Sequence, residues 1–346
     1  MKRMHSGFAF AALLLSFAMA DAREPDPLFA SFETLEVTLE APLRQLMRER
    51  DAATEIAGKL RYVEPGGAEL EFDVKIRTRG KFRARKDVCE FAPLRLNFRT
   101  SQAAGTLFAK QDKLKLVTHC DTRSDRYEQA VITEYLTYRT LNLLTEFSYR
   151  VRLLKIRYVF TDRKRQIDSY AILIENDKRL SKRLEHDLLS VPELNIDDLS
   201  PEYTNLASIF QYLIGNTDFS PIAAAKDEDC CHNHTPFSAD DEVVFSIPYD
   251  FDQCGLVDIP HAAPNDRFRL RSVRQRLYRG RCANNALLPA TLEQFRSKQA
   301  ELEALIADQA ELDRLTRRKT EKYVASFYKI INDPKAVQKL LVKKCI

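Results

Sequence analysis

Gly215-Asn216-Thr217-Asp218-Phe219-Ser220 and, further on, Pro248-Tyr249-Asp250-Phe251-Asp252 are the two stretches on which the reading of this chain turns. Each sets a carboxylate beside large apolar residues at the end of a stretch patterned like a core element. Carboxylates are costly to bury unless paired, hydrogen-bonded or bound to a metal. Two such places suggest a shared purpose, and phosphoryl transfer fits: one Asp takes a hydroxyl proton while another holds Mg²⁺ on a nucleotide. Taken singly, an Asp-x-Asp is more often a turn or cap, roles that Asp fills routinely.

Around these stretches the pattern changes along the chain. Leu35, Val37 and Leu39 alternate with polar residues as in a half-buried strand. Gly58–Val63 and Leu70–Ile76 read likewise, joined by the turn signal Pro65-Gly66-Gly67. Pro93–Phe98 and Leu114–Val117 add two short strands. A helix is predicted from about Arg126 to Leu144, followed by paired strands over Val151–Phe160 and Ser169–Ile174. Tyr203–Ile214 reads as a helix with Leu206, Ile209, Phe210 and Leu213 on its apolar face and Gly215 as its C-cap. Val243–Ile247 is a strand leading into Asp250, and Leu292–Leu341 a charged helical tail with heptad-like spacing. This order predicts an α+β chain in a two-lobed, protein-kinase-like fold, with a β-rich N-lobe over 23–175 and a mainly helical C-lobe over 176–346.

Residues 1–22 have the features of a secretory signal: Lys2 and Arg3, an apolar run from Phe8 to Ala20, and small residues at Ala18, Ala20 and Ala22. The run is short for a membrane span, and no later stretch is long and apolar enough for one. The expectation is an exported protein, periplasmic or secreted, with no transmembrane segment once the signal is removed. The seven cysteines fit three disulfides and one leftover thiol, with Cys89–Cys120 the favoured pair because both flank neighbouring strands. Cys230, Cys231, His232 and His234 suggest zinc at first sight, but adjacent cysteines lack the spacing of a zinc knuckle. Net charge is only +4 from 54 basic and 50 acidic residues. Arginine is spread along the chain without a long basic block, so nucleic acid is not an expected partner.

Phosphoryl transfer calls for a cation on the phosphates, a carboxylate orienting it, a base and metal ligands. Lys113 and Lys115 share one face of a strand, and Glu128 and Glu134 lie on the helix after it. Arg77, Arg79, Gly80 and Lys81 could cradle phosphates. With nine glycines and no Walker or Gly-x-Gly-x-x-Gly sequence, no glycine-rich phosphate loop is present. Asp218 is the candidate base, Asp250 the candidate Mg²⁺ ligand, and Asn233 and Asp252 possible further ligands. No Gly-x-Ser-x-Gly elbow or metalloprotease His spacing supports hydrolase chemistry.

Taken in order, Ile76-Arg77-Thr78-Arg79-Gly80, Pro93-Leu94-Arg95-Leu96, Lys113-Leu114-Lys115-Leu116, Glu134-Tyr135-Leu136, Ile172-Leu173-Ile174-Glu175, Gly215-Asn216-Thr217-Asp218 and Tyr249-Asp250-Phe251-Asp252-Gln253-Cys254-Gly255-Leu256 resemble the CotH kinase-like family, and within it a group of exported bacterial proteins. The resemblance runs from about Ile76 to Tyr278. It implies an atypical kinase using ATP or another nucleotide with Mg²⁺ on a protein or glycan acceptor. By position, Lys115 would hold phosphates with Arg77, Arg79, Lys113 and Glu175 nearby. Glu134 would orient Lys115, Asp218 would be the base, and Asp250, Asn233 and Asp252 would bind metal. Two other functions compete: a catalytically inactive envelope module that binds a protein or glycan in the same cleft, and a metal-dependent hydrolase using Asp250 and Asp252.

Overall fold

The computed structural model describes residues 24–226 and 228–346; the expected export signal lies outside the described residues. After α1 (Pro27–Ala30), β1 (Leu35–Ala41) and α2 (Leu43–Glu49) come β2 (Ile56–Val63), β3 (Glu69–Thr78), β4 (Leu94–Phe98), α3 (Thr100–Ala103) and β5 (Lys113–Val117). The long α4 (Asp125–Leu144) precedes β6 (Val151–Phe160), β7 (Arg165–Ile174) and α5 (Asp177–Leu184). Then follow β8 (Asp187–Leu188), α6 (Pro201–Ile214), β9 (His234–Ser238) and β10 (Val244–Pro248). The chain finishes with α7 (Leu288–Ser297), α8 (Gln299–Ala307), α9 (Arg314–Ile331) and α10 (Pro334–Leu340).

The two-lobed kinase-like fold expected from this order is not the one adopted. Strands β1 to β7 close into a barrel in the order β1-β2-β3-β4-β5-β7-β6, and a second sheet is formed by β10-β9-β8. The barrel closes where β1 pairs in parallel with β6, from Leu35 opposite Leu154 to Ala41 opposite Phe160. Alternation along β1 shows which face is buried, but not which distant strand covers its free edge. Inward residues of all seven strands, among them Leu39, Leu60, Ile76, Leu96, Leu116, Leu154 and Leu173, fill the interior.

A second core lies between the outside of the barrel and the helices. It is centred on α4, which packs against β6, β7 and α8. Because α4 is buried nearly all round, even its threonines are internal. Thr133, Thr137 and Thr140 satisfy their hydroxyls by donating to the carbonyls of Gln129, Thr133 and Leu136. The tail read as helical with heptad-like spacing comprises four helices, of which α7 and α9 pack on α6 and α8 on α4.

Three disulfides join Cys89 to Cys120, Cys230 to Cys231 and Cys282 to Cys345, leaving Cys254 as a buried thiol. The pairing of Cys89 with Cys120 is the one expected. Disulfides of this kind are compatible with export. Among the described residues no helix is long and apolar enough to cross a membrane.

Candidate functional site

The end of α6 organises the site. Ser200 caps its start by accepting from the Tyr203 amide, and Pro201 occupies the first turn. At its end Gly215 turns left-handed with φ 67°, and the Gly215 and Asn216 amides return to carbonyls of the last turn. The chain after Asp250 docks on this terminus: the Gly255 amide donates to the Gly215 carbonyl at 3.1 Å and the Leu256 amide to that of Ile214 at 2.9 Å. The two carboxylate-bearing stretches are thereby fastened to each other.

Asp218 follows immediately. Its amide donates to Asn216 Oδ1 at 2.9 Å, and its carboxylate meets His232 Nε2 at 2.9 Å. Asn233 Nδ2 donates to the Asp218 carbonyl at 2.7 Å and to Oδ2 at 3.1 Å. The carbonyl of Asn233 accepts from the Tyr249 amide at 3.0 Å, so Asn233 bridges Asp218 to the residue preceding Asp250. Asn233 and Asp250 both hold positive φ, 53° and 60°. Tyr138 Oη of α4 accepts from the Asp250 amide at 2.8 Å. Between the two acids, Phe251 is fully buried against Tyr138 and Phe210, with ring centres 4.6 and 5.4 Å away. Burial of a Phe contributes about 2–3 kcal/mol, which holds this turn in place.

Behind Asp250 lies a buried group of charges. Arg83 Nη1 stands 3.9 Å from both Glu134 and Asp252, and its Nη2 donates to the Thr118 carbonyl at 2.5 Å. His261 Nε2 lies 3.9 Å from Asp252 on the other side. Burial, reinforced by Asp252, pushes Asp250 up from 3.8 to about 6, with Arg79 and Arg83 opposing. Glu134 is pushed well above the carboxylate range, first by burial and then by Asp252. Burial also works against ionised Asp252, but His261 and Arg83 outweigh it and hold Asp252 below its ordinary value. The half-buried carboxylate of Asp250 makes no ion pair or side-chain hydrogen bond with the described residues.

The other expected residues divide into two groups. Lys115 is close to the site, but its partner is not Glu134. Its Nζ donates to Asp177 Oδ1 at 3.0 Å and lies over the faces of Tyr249 and Tyr149, 4.8 and 5.6 Å from their centres. Burial lowers its pKa, with Asp177 opposing. Glu134 faces Arg83, so the expected Lys115–Glu134 pair is replaced by two pairs. Asp177 was missed, although Asn176-Asp177 directly after a strand is a helix-start signal; Asn176 does cap α5. Arg79 is near enough for its charge to act on both Lys115 and Asp250.

Four of the expected residues lie apart. Glu175 is buried in a bidentate pair with Arg183, at 3.0 and 2.9 Å, and also accepts from the Arg150 amide, so it holds structure rather than facing a ligand. Arg77 donates to the Ala52 carbonyl at 2.6 Å. Lys113 is exposed on the barrel. Glu128 accepts from Ser169 Oγ of β7 at 3.0 Å and serves packing.

No three carboxylate, His or Cys ligand atoms around Asp250 lie within 4.8 Å of one another; among the described residues the one such group is Cys89, Cys120 and His261, whose sulfurs are already bonded to each other. The Cys230–Cys231 bond likewise removes that pair from zinc chemistry. Its neighbour His234 is buried, which lowers it to about 3, and it meets the Ser246 carbonyl at 2.9 Å. No protein-family model matches the chain, and no curated protein matches it.

Proposed function

We propose that the chain is a divalent-metal-dependent phosphotransferase acting from a nucleotide onto a hydroxyl acceptor, in an oxidising compartment outside the cytoplasm. The observation that carries this reading is the Asn233 bridge, which ties the half-exposed Asp218 carboxylate to the turn bearing the uncompensated Asp250 carboxylate. The donor set suits Mg²⁺, which takes one or two carboxylates plus phosphate oxygens and water rather than an all-protein cage. Asp250 would be the principal ligand, with Asp252 behind it. The bound metal nucleotide would supply the phosphoryl group and neutralise charge on it. Arg79, just past the end of β3, and Lys115, in the middle of β5, both near Tyr249, would meet the phosphates. Asp218 accepts the proton of the acceptor hydroxyl while the acceptor oxygen bonds to phosphorus and the bond to the leaving diphosphate breaks. His232 and Asn233 keep that carboxylate oriented.

A second reading, a binding module using the same residues, draws on the Lys115–Asp177 pair, which spends the lysine charge within the protein. A thermal-shift titration with ATP and Mg²⁺, beside Asp250→Ala, separates the two. A ligand that binds only the folded chain at a hundredfold over its Kd adds about 2.7 kcal/mol. A shift that needs both the metal and Asp250 is expected. Equal shifts in the two proteins would remove Asp250 from the site, and no shift with any nucleotide would favour the binding module.

A further inference from the structure

Between Asn265 and Arg281 the chain has neither helix nor strand, and it carries seven arginines against one acid, Asp266. Four of the arginines anchor it. Arg274 pairs with Asp258 at 3.3 Å, and Arg276 donates to the carbonyls of Leu213 and Tyr323 and to Ser326 Oγ. Arg281 donates to the Ile196 carbonyl and pairs with Asp197 at 2.7 Å. Arg279 fastens the segment to the Asp218 loop: Nη1 donates to the carbonyls of Thr217 at 3.2 Å and Phe219 at 2.8 Å, and the guanidinium packs on the rings of Phe219 and Phe268. Asn265 Nδ2 reaches the same Thr217 carbonyl at 3.3 Å.

The other three, Arg267, Arg269 and Arg271, are exposed and make no ion pair or side-chain hydrogen bond among the described residues. Arg267 lies close enough to Arg279 for the two charges to repel, and Asp218 acts on Arg279 in the opposite sense. Of the three unspent guanidinium forks, Arg267 is thus the one placed near the loop of the residue assigned as base, and Arg269 and Arg271 follow it at alternate positions of the same exposed segment. Such forks match carboxylates in shape and charge. No large apolar side chain of the segment is exposed, so it offers nothing to insert into lipid or to stack on bases.

We propose that this segment selects the acceptor, and that the acceptor is an acidic stretch of polypeptide. Its Asp or Glu side chains sit on Arg267, Arg269 and Arg271 while a neighbouring hydroxyl residue reaches Asp218. The proposal rests on the phosphotransferase reading for the role of Asp218, but its binding step can be tested separately.

The probe is a fluorescent Glu-rich peptide with one central Ser, followed by anisotropy against the full mature chain, with a Lys-rich peptide and anionic phosphatidylglycerol vesicles as controls. Arg267→Ala/Arg269→Ala/Arg271→Ala is the variant, its melting temperature checked against the parent, with Arg267→Glu alone as a milder second variant. The expected result is salt-sensitive binding of the acidic peptide alone, about tenfold weaker in the triple variant, with the Mg-ATP thermal shift unchanged. Equal affinity for acidic and basic peptides, an undiminished affinity in both variants, or binding to vesicles but not peptide would each overturn it. If the acidic peptide binds through these arginines while no nucleotide with Mg²⁺ shifts the melting temperature of the parent, the acidic-peptide site stands and the phosphotransferase reading falls.

Discussion

Replacing Asp250 by Asn should make the metal-free protein more stable, not less. The Asp250 carboxyl is raised from 3.8 to about 6, by burial first and by Asp252 next. A carboxyl held above its unfolded value favours the protonated form, so the folded state gives up stability as pH rises from about 4 to about 6. At about 1.4 kcal/mol per pH unit, that interval sets a ceiling of about 3 kcal/mol. Solvent reaching the half-buried side chain brings the expectation to about 1–2 kcal/mol. Asn keeps the shape without the charge and escapes this cost. The assay is urea denaturation of parent and Asp250→Asn in chelator across pH 4 to 8. The variant's advantage should be near zero at the acid end, grow up to about pH 6 and then level off. Added Mg²⁺ and nucleotide should reverse the order by stabilising the parent alone. A variant less stable than the parent at neutral pH in chelator, or a difference that does not change with pH, would refute the placing of an uncompensated charge at Asp250.

Glu175→Gln should cost about 3–5 kcal/mol in chemical denaturation, because it strands the buried Arg183, while leaving nucleotide affinity per folded molecule unchanged. His232 is held above 6.5, first by its hydrogen bond to Asp218. Its contribution to stability is full below 6.5 and fades as pH rises through the raised value; an NMR titration should show that midpoint dropping in Asp218→Asn. Replacing Cys89 and Cys120 together by Ser opens a link spanning 31 residues and should cost about 3–4 kcal/mol, read as a lower denaturant midpoint. Gly215→Ala places a methyl against Tyr323 Oη at a left-handed position, and should lower the melting temperature while loosening both acidic loops.

The local elements were largely legible. The alternation of Leu35, Val37 and Leu39, the spacing along α4 and α6, and Gly215 as a cap all correspond to observed elements, because each signal is contained within a few residues. Barrel closure was not legible, since it depends on Leu35 meeting Leu154, and period-two patterning is silent about partners. The acids Asp218 and Asp250 announced themselves by standing among core residues. Their supporting charges did not: Arg83 and Asp177 sit in unremarkable surroundings in the chain, and a helix such as α4 gives no sign in sequence of which cation its Glu134 will meet. The arginine run from 267 to 281 was visible, yet a balanced net charge hid it.

The closing seam of the barrel also bears on how the chain is made. Strand β1 can join β2 as soon as both exist, but its other edge waits for β6, more than a hundred residues downstream. Until then a row of unpaired amides and carbonyls stays open to any strand that passes. Contacts so distant in sequence form slowly. A chain extruded amino end first therefore carries an adhesive margin from the emergence of Ala41 until Phe160 has followed, and whatever shields that margin in the meantime governs how much of the protein is recovered intact.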